Sequence, residues 1–146
     1  MEAAKTPNGA RYGMVIDLDK CNGCGACAVA CAVENNVPPA AERATERNGI
    51  TWLRVHRIEA PGDARAAFLP MMCQQCGDET PCASVCPQNA VEVDPASGIV
   101  AQVPVRCLGC RYCMAACPYH ARSFNWWDPE GPGRLTETLN PEASTR

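Results

Sequence analysis

The chain has 146 residues, a formal net charge of −3, twelve cysteines, thirteen prolines and eleven glycines. So mild an acidic balance argues against nucleic acid as the main partner, and no run of about 18 apolar residues is present to form a membrane-spanning helix. Three Trp, three Tyr and two Phe are too few large side chains to build a core unaided, so stability must come from cross-links or bound metal.

Met1–Met14 has neither an apolar core nor a twin arginine and does not read as an export signal. Tyr12–Leu18 (YGMVIDL) is an alternating stretch leading into a first cysteine block, Cys21, Cys24, Cys27 and Cys31, spaced C-x2-C-x2-C-x3-C. A short helix is expected after the third cysteine, over Ala26–Val33. Residues 34–48 read as a loop containing Pro38-Pro39. Ile50–Ile58 (ITWLRVHRI) suits a strand, with Ile50, Trp52 and Arg54 on one face and Leu53, Val55 and Arg57 on the other.

Phe68–Met72 (FLPMM) precedes a second block, Cys73, Cys76, Cys82 and Cys86, spaced C-x2-C-x5-C-x3-C and followed by Pro87. Ala90–Val103 reads as a β-hairpin: Val91 and Val93 alternate with polar residues, Asp94–Gly98 carries turn chemistry, and Ile99-Val100 restarts the apolar run. Val103–Arg106 leads into a third block, Cys107, Cys110, Cys113 and Cys117, again C-x2-C-x2-C-x3-C and followed by Pro118. A helix is expected over Met114–Ala116. From Asp128 the chain is rich in Pro, Gly, Glu and Thr and reads as an extended tail. The organisation is one domain over 1–146: a first cluster block at 12–35, an insertion at 36–68, a paired unit at 69–125 and a tail at 126–146. The threefold block is an internal repeat.

The cysteine spacing decides between three chemistries. Disulfides would staple distant segments, yet most of these cysteines sit two or three residues from their neighbours. Zinc sites use two C-x2-C pairs and call for neither a third cysteine at i+6 nor a fourth at i+10. A 4Fe–4S cube takes four thiolates, and cysteines at i, i+3 and i+6 can wrap three of its corners. The small residues Asn22, Gly23, Gly25 and Ala26, and Leu108 and Gly109, let the backbone approach. The fourth cysteine of such a run ligates the other cluster in two-cluster ferredoxins. One cluster then takes Cys73, Cys76, Cys82 and Cys117, and the other Cys107, Cys110, Cys113 and Cys86. Cys21, Cys24 and Cys27 hold three corners of a further cube. For its fourth corner, Cys31 folds back, the site stays a three-cysteine one, or a segment beyond Arg146 supplies the ligand; the last is the expectation.

Other residues carry two readings each. His120 is a neighbour of a cluster or an ordinary surface histidine, and His56 faces solvent. Trp126 and Trp127 shield a cluster or serve an interface. Arg106, Arg111 and Arg122 raise a cluster's potential by charge or face water.

The segments DLDKCNGCGACAVACAVEN (17–35), MMCQQCGDETPCASVCPQNAV (71–91) and RCLGCRYCMAACPYHARSFNWWDPE (106–130) resemble the iron–sulfur subunits of the dimethyl sulfoxide reductase (molybdopterin oxidoreductase) superfamily. Similar subunits occur in polysulfide reductase, menaquinone reductase and alternative complex III. The resemblance implies an α+β, loop-rich, ferredoxin-like 4Fe–4S dicluster domain with short hairpins and helices. It also implies an electron-transfer subunit with no catalytic residues of its own. Such a subunit relays electrons between a molybdopterin-type catalytic subunit and a quinone-interacting membrane subunit, peripheral to the bacterial inner membrane. Two clusters belong to the paired unit, a third to the first block, and a fourth only to a longer chain. The sequence departs from the family in the five residues between Cys76 and Cys82, one more than usual, and in lacking a fourth block, which typically completes the first block's cluster and takes Cys31. The competing function is a free soluble ferredoxin-type carrier; a purely structural metal module is the third. The insertion and the tail, which a free carrier does not need, favour the docked subunit.

Overall fold

The computed structural model describes residues 13–37, 50–62, 65–77, 79–124, 126 and 140. The expected loop at Pro38-Pro39, Trp127 and the tail from Asp128 to 139 lie outside the described residues. The fold is a small mixed one; the described residues form two separate two-stranded sheets and three short helices, with a large share of loop. The chain groups into two compact units, one holding 16–73 and the residues from 121 onward, the other 74–120 with 13–15.

In the first of these units a single 3-10 turn, Leu18–Lys20, is followed by helix α1 (Ala26–Glu34). The segment between the first and second blocks contains strand β1 (Arg54–Ile58), paired antiparallel with β2 (Ala67–Met71) in the register Arg54↔Met71 to Ile58↔Ala67. The region read as an insertion therefore carries a hairpin, and its second strand runs across position 68 toward Cys73. β1 is shorter than Ile50–Ile58. Arg54 pairs with the last residue of β2, so nothing remains to extend the ladder, and the chain bends at Trp52-Leu53, turning Leu53 inward. Pro70 lies inside β2, a position open to proline only on an edge strand.

The second unit contains α2 (Pro81–Ser84), β3 (Val91–Val93), β4 (Val100–Gln102), a 3-10 turn at Pro104–Arg106 and α3 (Tyr112–Ala116). The hairpin expected over 90–103 forms, with Val91↔Gln102 and Val93↔Val100 in register. Its turn is organised by Asp94, whose carboxylate accepts from the Ala96 and Ser97 amides at 3.2 and 3.1 Å and from the Ser97 hydroxyl. These donors, the Ser97 hydroxyl foremost, hold the Asp94 carboxyl below the ordinary aspartate value. The turn's contribution to stability is thus complete above that ordinary value and is lost as pH falls through the lowered one.

The core of this unit is Cys82, Val91 and Val100, with Ala83, Val93, Cys86 and Cys113 packed against it. Thiols from two blocks thus occupy positions where other small domains put leucine or phenylalanine. Helix α2 packs on both α3 and β3.

Candidate metal centre

The three blocks fold alike. In the first and third, a 3-10 turn delivers the leading cysteine as its C-cap: Cys21 at φ −77°, ψ 115° and Cys107 at φ −77°, ψ 119°, each donating its amide to the carbonyl three residues back. The residue before the middle cysteine is left-handed in all three blocks: Gly23 (φ 74°), Gln75 (φ 49°) and Gly109 (φ 77°). The residue after it is left-handed in the first and third, as Gly25 (φ 74°) and Arg111 (φ 64°). Alternation of left-handed with ordinary conformations turns successive N–H groups to one side, forming a concavity that binds anions and iron–sulfur clusters. The backbone therefore fits the group that the cysteine spacing implies.

The third cysteine is the second residue of a helix in every block: Cys27 in α1, Cys82 in α2 and Cys113 in α3. Each helix starts one residue before this cysteine: α1 at Ala26, where the sequence also placed it, and α3 at Tyr112, two residues ahead of the expected Met114. The left-handed caps Gly25 and Arg111 reverse the chain and release it directly into helix, and Pro81 fills the first position of α2, where its missing N–H costs nothing. The fourth cysteine lies four residues on. Cys31 is still within α1, whereas Cys86 and Cys117 fall at or just past their helix ends.

The wider gap in the second block is tied together by Thr80. It is buried, and its hydroxyl bonds the carbonyls of Cys76 and, at 3.1 Å, Gly77. Gln75 joins the same loop to β4 by accepting from the Val100 amide at 2.6 Å. In the first block the ring of Phe68 lies against Gly23, where a Cβ would overlap it.

Cys86-Pro87-Gln88-Asn89 and Cys117-Pro118-Tyr119-His120 make matching turns. Asn89 and His120 are both left-handed (φ 46° and 50°) and donate their amides to the cysteine carbonyls at 3.4 and 3.3 Å. Asparagine and histidine are among the side chains enriched in this conformation. His120 is exposed, so its place in the repeat is that of a turn residue. Arg106 pairs with Glu92 and donates to the Asn89 carbonyl at 3.3 Å, so its charge is matched at the surface. Arg111 is the left-handed helix cap described above. His56 is exposed on β1. Trp126 is 41 % exposed and meets Phe124 edge to face at 5.1 Å.

Cys24, Cys27 and Cys107 are exposed, Cys82 is buried, and Cys21, Cys31, Cys73, Cys76, Cys86, Cys110, Cys113 and Cys117 are half-buried; no disulfide joins any of the twelve. Among the described residues no three Cys, His, Asp or Glu side chains converge as a mononuclear ion requires. Zinc with bonds of about 2.3 Å to sulfur needs its thiolates nearly in contact, whereas a four-iron cube spreads them across its corners. Cys82, Cys86 and Cys113 share one core, bringing the fourth cysteine of the second block into the same packing group as the third cysteine of the third. Sequence reasoning missed Thr80, Gln75, Phe68 and Asn35. Only Thr80 carried a local signal, as a helix-capping residue type before Pro81.

Two family models described as 4Fe-4S dicluster domain match the chain, over residues 20–90 and 64–130. The chain belongs to the 4Fe–4S dicluster family and carries clusters of that type. It is 49% identical over 139 residues to the menaquinone reductase iron-sulfur cluster-binding subunit of Nitratidesulfovibrio vulgaris, spanning 93% of this chain and 54% of that protein. Over 134 residues it is 40% identical to a putative dimethyl sulfoxide reductase iron-sulfur subunit of Halobacterium salinarum (82% and 47%). Over 118 residues it is 42% identical to the arsenate respiratory reductase iron-sulfur subunit of Shewanella sp. strain ANA-3 (79% and 45%). Within the family its place is among the iron–sulfur subunits of the dimethyl sulfoxide reductase superfamily. The chain spans about half the length of these curated relatives.

Proposed function

We propose that the protein is the electron-transfer subunit of a reductase complex, relaying electrons between a molybdopterin-type catalytic subunit and a quinone-interacting membrane subunit at the bacterial inner membrane. The observation that carries this reading is the threefold ligand loop, two copies of which contribute thiols to one small core. Cys73, Cys76, Cys82 and Cys117 serve one cluster and Cys107, Cys110, Cys113 and Cys86 the other; Cys21, Cys24 and Cys27 hold three corners of the first block's cluster, and Cys31 is a cluster ligand as well. A bound 4Fe–4S cluster supplies one-electron redox chemistry whose potential, anywhere from about −700 to +450 mV, is set by its surroundings. The protein's own part is to fix the thiolates, to turn backbone N–H groups toward the sulfurs, and to hold two clusters near one another through the exchanged fourth cysteines. The relatives' names, the menaquinone reductase and arsenate respiratory reductase iron-sulfur subunits among them, support a place in a multi-subunit reductase. No helix among the described residues is long and apolar enough to cross a membrane.

Native gel electrophoresis and gel filtration of mildly solubilised membranes from the source organism test the reading. The protein is expected to migrate with a large complex that contains a molybdenum cofactor. Migration as an isolated protein with no associated subunit would replace this account with that of a free ferredoxin-type carrier.

A further inference from the structure

The fourth cysteines of the first two blocks each receive a hydrogen bond at sulfur from a donor four residues downstream. Cys86 Sγ accepts the main-chain amide of Ala90 at 3.2 Å. Cys31 Sγ accepts from the side-chain amide of Asn35, with Nδ2 at 3.7 Å. The same service is performed once by backbone and once by a side chain. The reason is local: Cys31 remains inside α1, so the backbone amide four residues on is spent on the helix, Asn35 N–H donating to the Cys31 carbonyl at 3.1 Å. Only a side chain can then reach the sulfur.

Asn35 is well placed for this. Its Nδ2, which carries two donor hydrogens, also donates to the Cys31 carbonyl at 2.9 Å, so it meets two acceptors on one residue. The helix end beneath it is held by Asn36, buried at 6 % exposure and left-handed at φ 52°. The Asn36 amide exchanges two bonds with the backbone of Asn140, donating to its carbonyl at 2.7 Å and accepting its N–H at 2.8 Å. The neighbouring acid, Glu34, is engaged by Asn140 Nδ2 at 3.0 Å through its carboxylate.

We propose that Asn35 is a positioning residue for electron transfer: by donating to Cys31 Sγ it orients that thiolate and raises the reduction potential of the cluster that Cys31 ligates. The proposal rests on Cys31 being a cluster ligand. A hydrogen bond at a ligand sulfur withdraws electron density and favours the reduced, more negative cluster. Loss of the donor therefore lowers the potential, and only for that cluster.

The test is a redox titration followed by electron paramagnetic resonance, on the full chain loaded with clusters. Cys31→Ser first identifies the cluster that depends on Cys31. Asn35→Leu keeps bulk and removes the donor; Asn35→Ala removes the donor and suits the helical side of the helix end, where Asn35 is not left-handed. Both variants are expected to shift the reduction equilibrium of the Cys31-dependent cluster about tenfold toward oxidised, about 59 mV lower for a one-electron couple, with the other clusters unmoved. A shift in neither variant, in only one, or in all clusters together overturns the role of Asn35. Loss of that cluster from both variants also overturns it, since the residue would then build the site and not tune it. If Cys31→Ser changes no cluster, the ligand assignment beneath the proposal is what fails.

Discussion

Cys86→Ser is expected to damage the cluster built on the third block, and Cys117→Ser the cluster built on the second. In two-cluster ferredoxins the fourth cysteine of a C-x2-C-x2-C-x3-C run ligates the neighbouring cube, and in the second and third blocks it falls at or just past the end of the helix that carries the third. In this protein Cys86 lies past the end of α2 and shares a core with Cys113 of α3, against which α2 packs. Serine is a poorer ligand than thiolate, so each variant is expected to lose one cluster, about four of the irons per chain, or to convert it to a species with a distinct spectrum. Resolving the two signals in each variant decides the matter. Loss of the cluster held by the mutated residue's own block would mean that each run closes on itself.

Gly23→Asn is expected to empty the first block while leaving the paired unit intact, whereas Gly25→Asn is expected to retain its iron. Both glycines are left-handed at φ 74°, so either substitution carries strain on the order of 1–2 kcal/mol, less for asparagine than for most residues. They differ in what a Cβ meets. At Gly23 it overlaps the Phe68 ring; at Gly25 it meets nothing within 4 Å. The third block makes the same distinction, with Gly109 at the first position and Arg111 at the second. Phe68 sits on β2 in register with Arg57, which fixes its backbone, so making room requires the ring to turn away from the ligand loop. Iron content and the first cluster's signal in the two variants are the readout, and equal losses would show that backbone strain alone governs the loop.

Much of this is legible in the sequence because the chemistry is local. The cysteine spacing names the metal centre, and Val91, Val93, Asp94–Gly98 and Val100 name a hairpin that the structure contains. The start of α3 is harder to place, because its left-handed cap, Arg111, is not a glycine. No local rule flags an arginine for that conformation. Strand β1 is shorter than its pattern because alternation continues through Trp52-Leu53 while the pairing partner does not. The β1–β2 hairpin is only half legible. FLPMM is plainly apolar, but its proline and its approach to a ligand loop hide a strand. The ties from Gln75 to Val100, Asn36 to Asn140 and Phe68 to Gly23 join positions from 25 to 104 residues apart. Such contacts exist only once the fold has brought their partners together, and no periodicity announces them.

Whether the twelve cysteines hold iron–sulfur clusters is tested most directly by anaerobic purification followed by metal and acid-labile sulfide analysis. The protein is expected to be brown, with a broad visible absorbance that bleaches on reduction with dithionite. Iron and sulfide are expected in equal amounts, about twelve of each per chain when three four-iron clusters are filled. Stoichiometric zinc in cleanly reconstituted protein, with no uptake of iron or sulfide, would contradict the account.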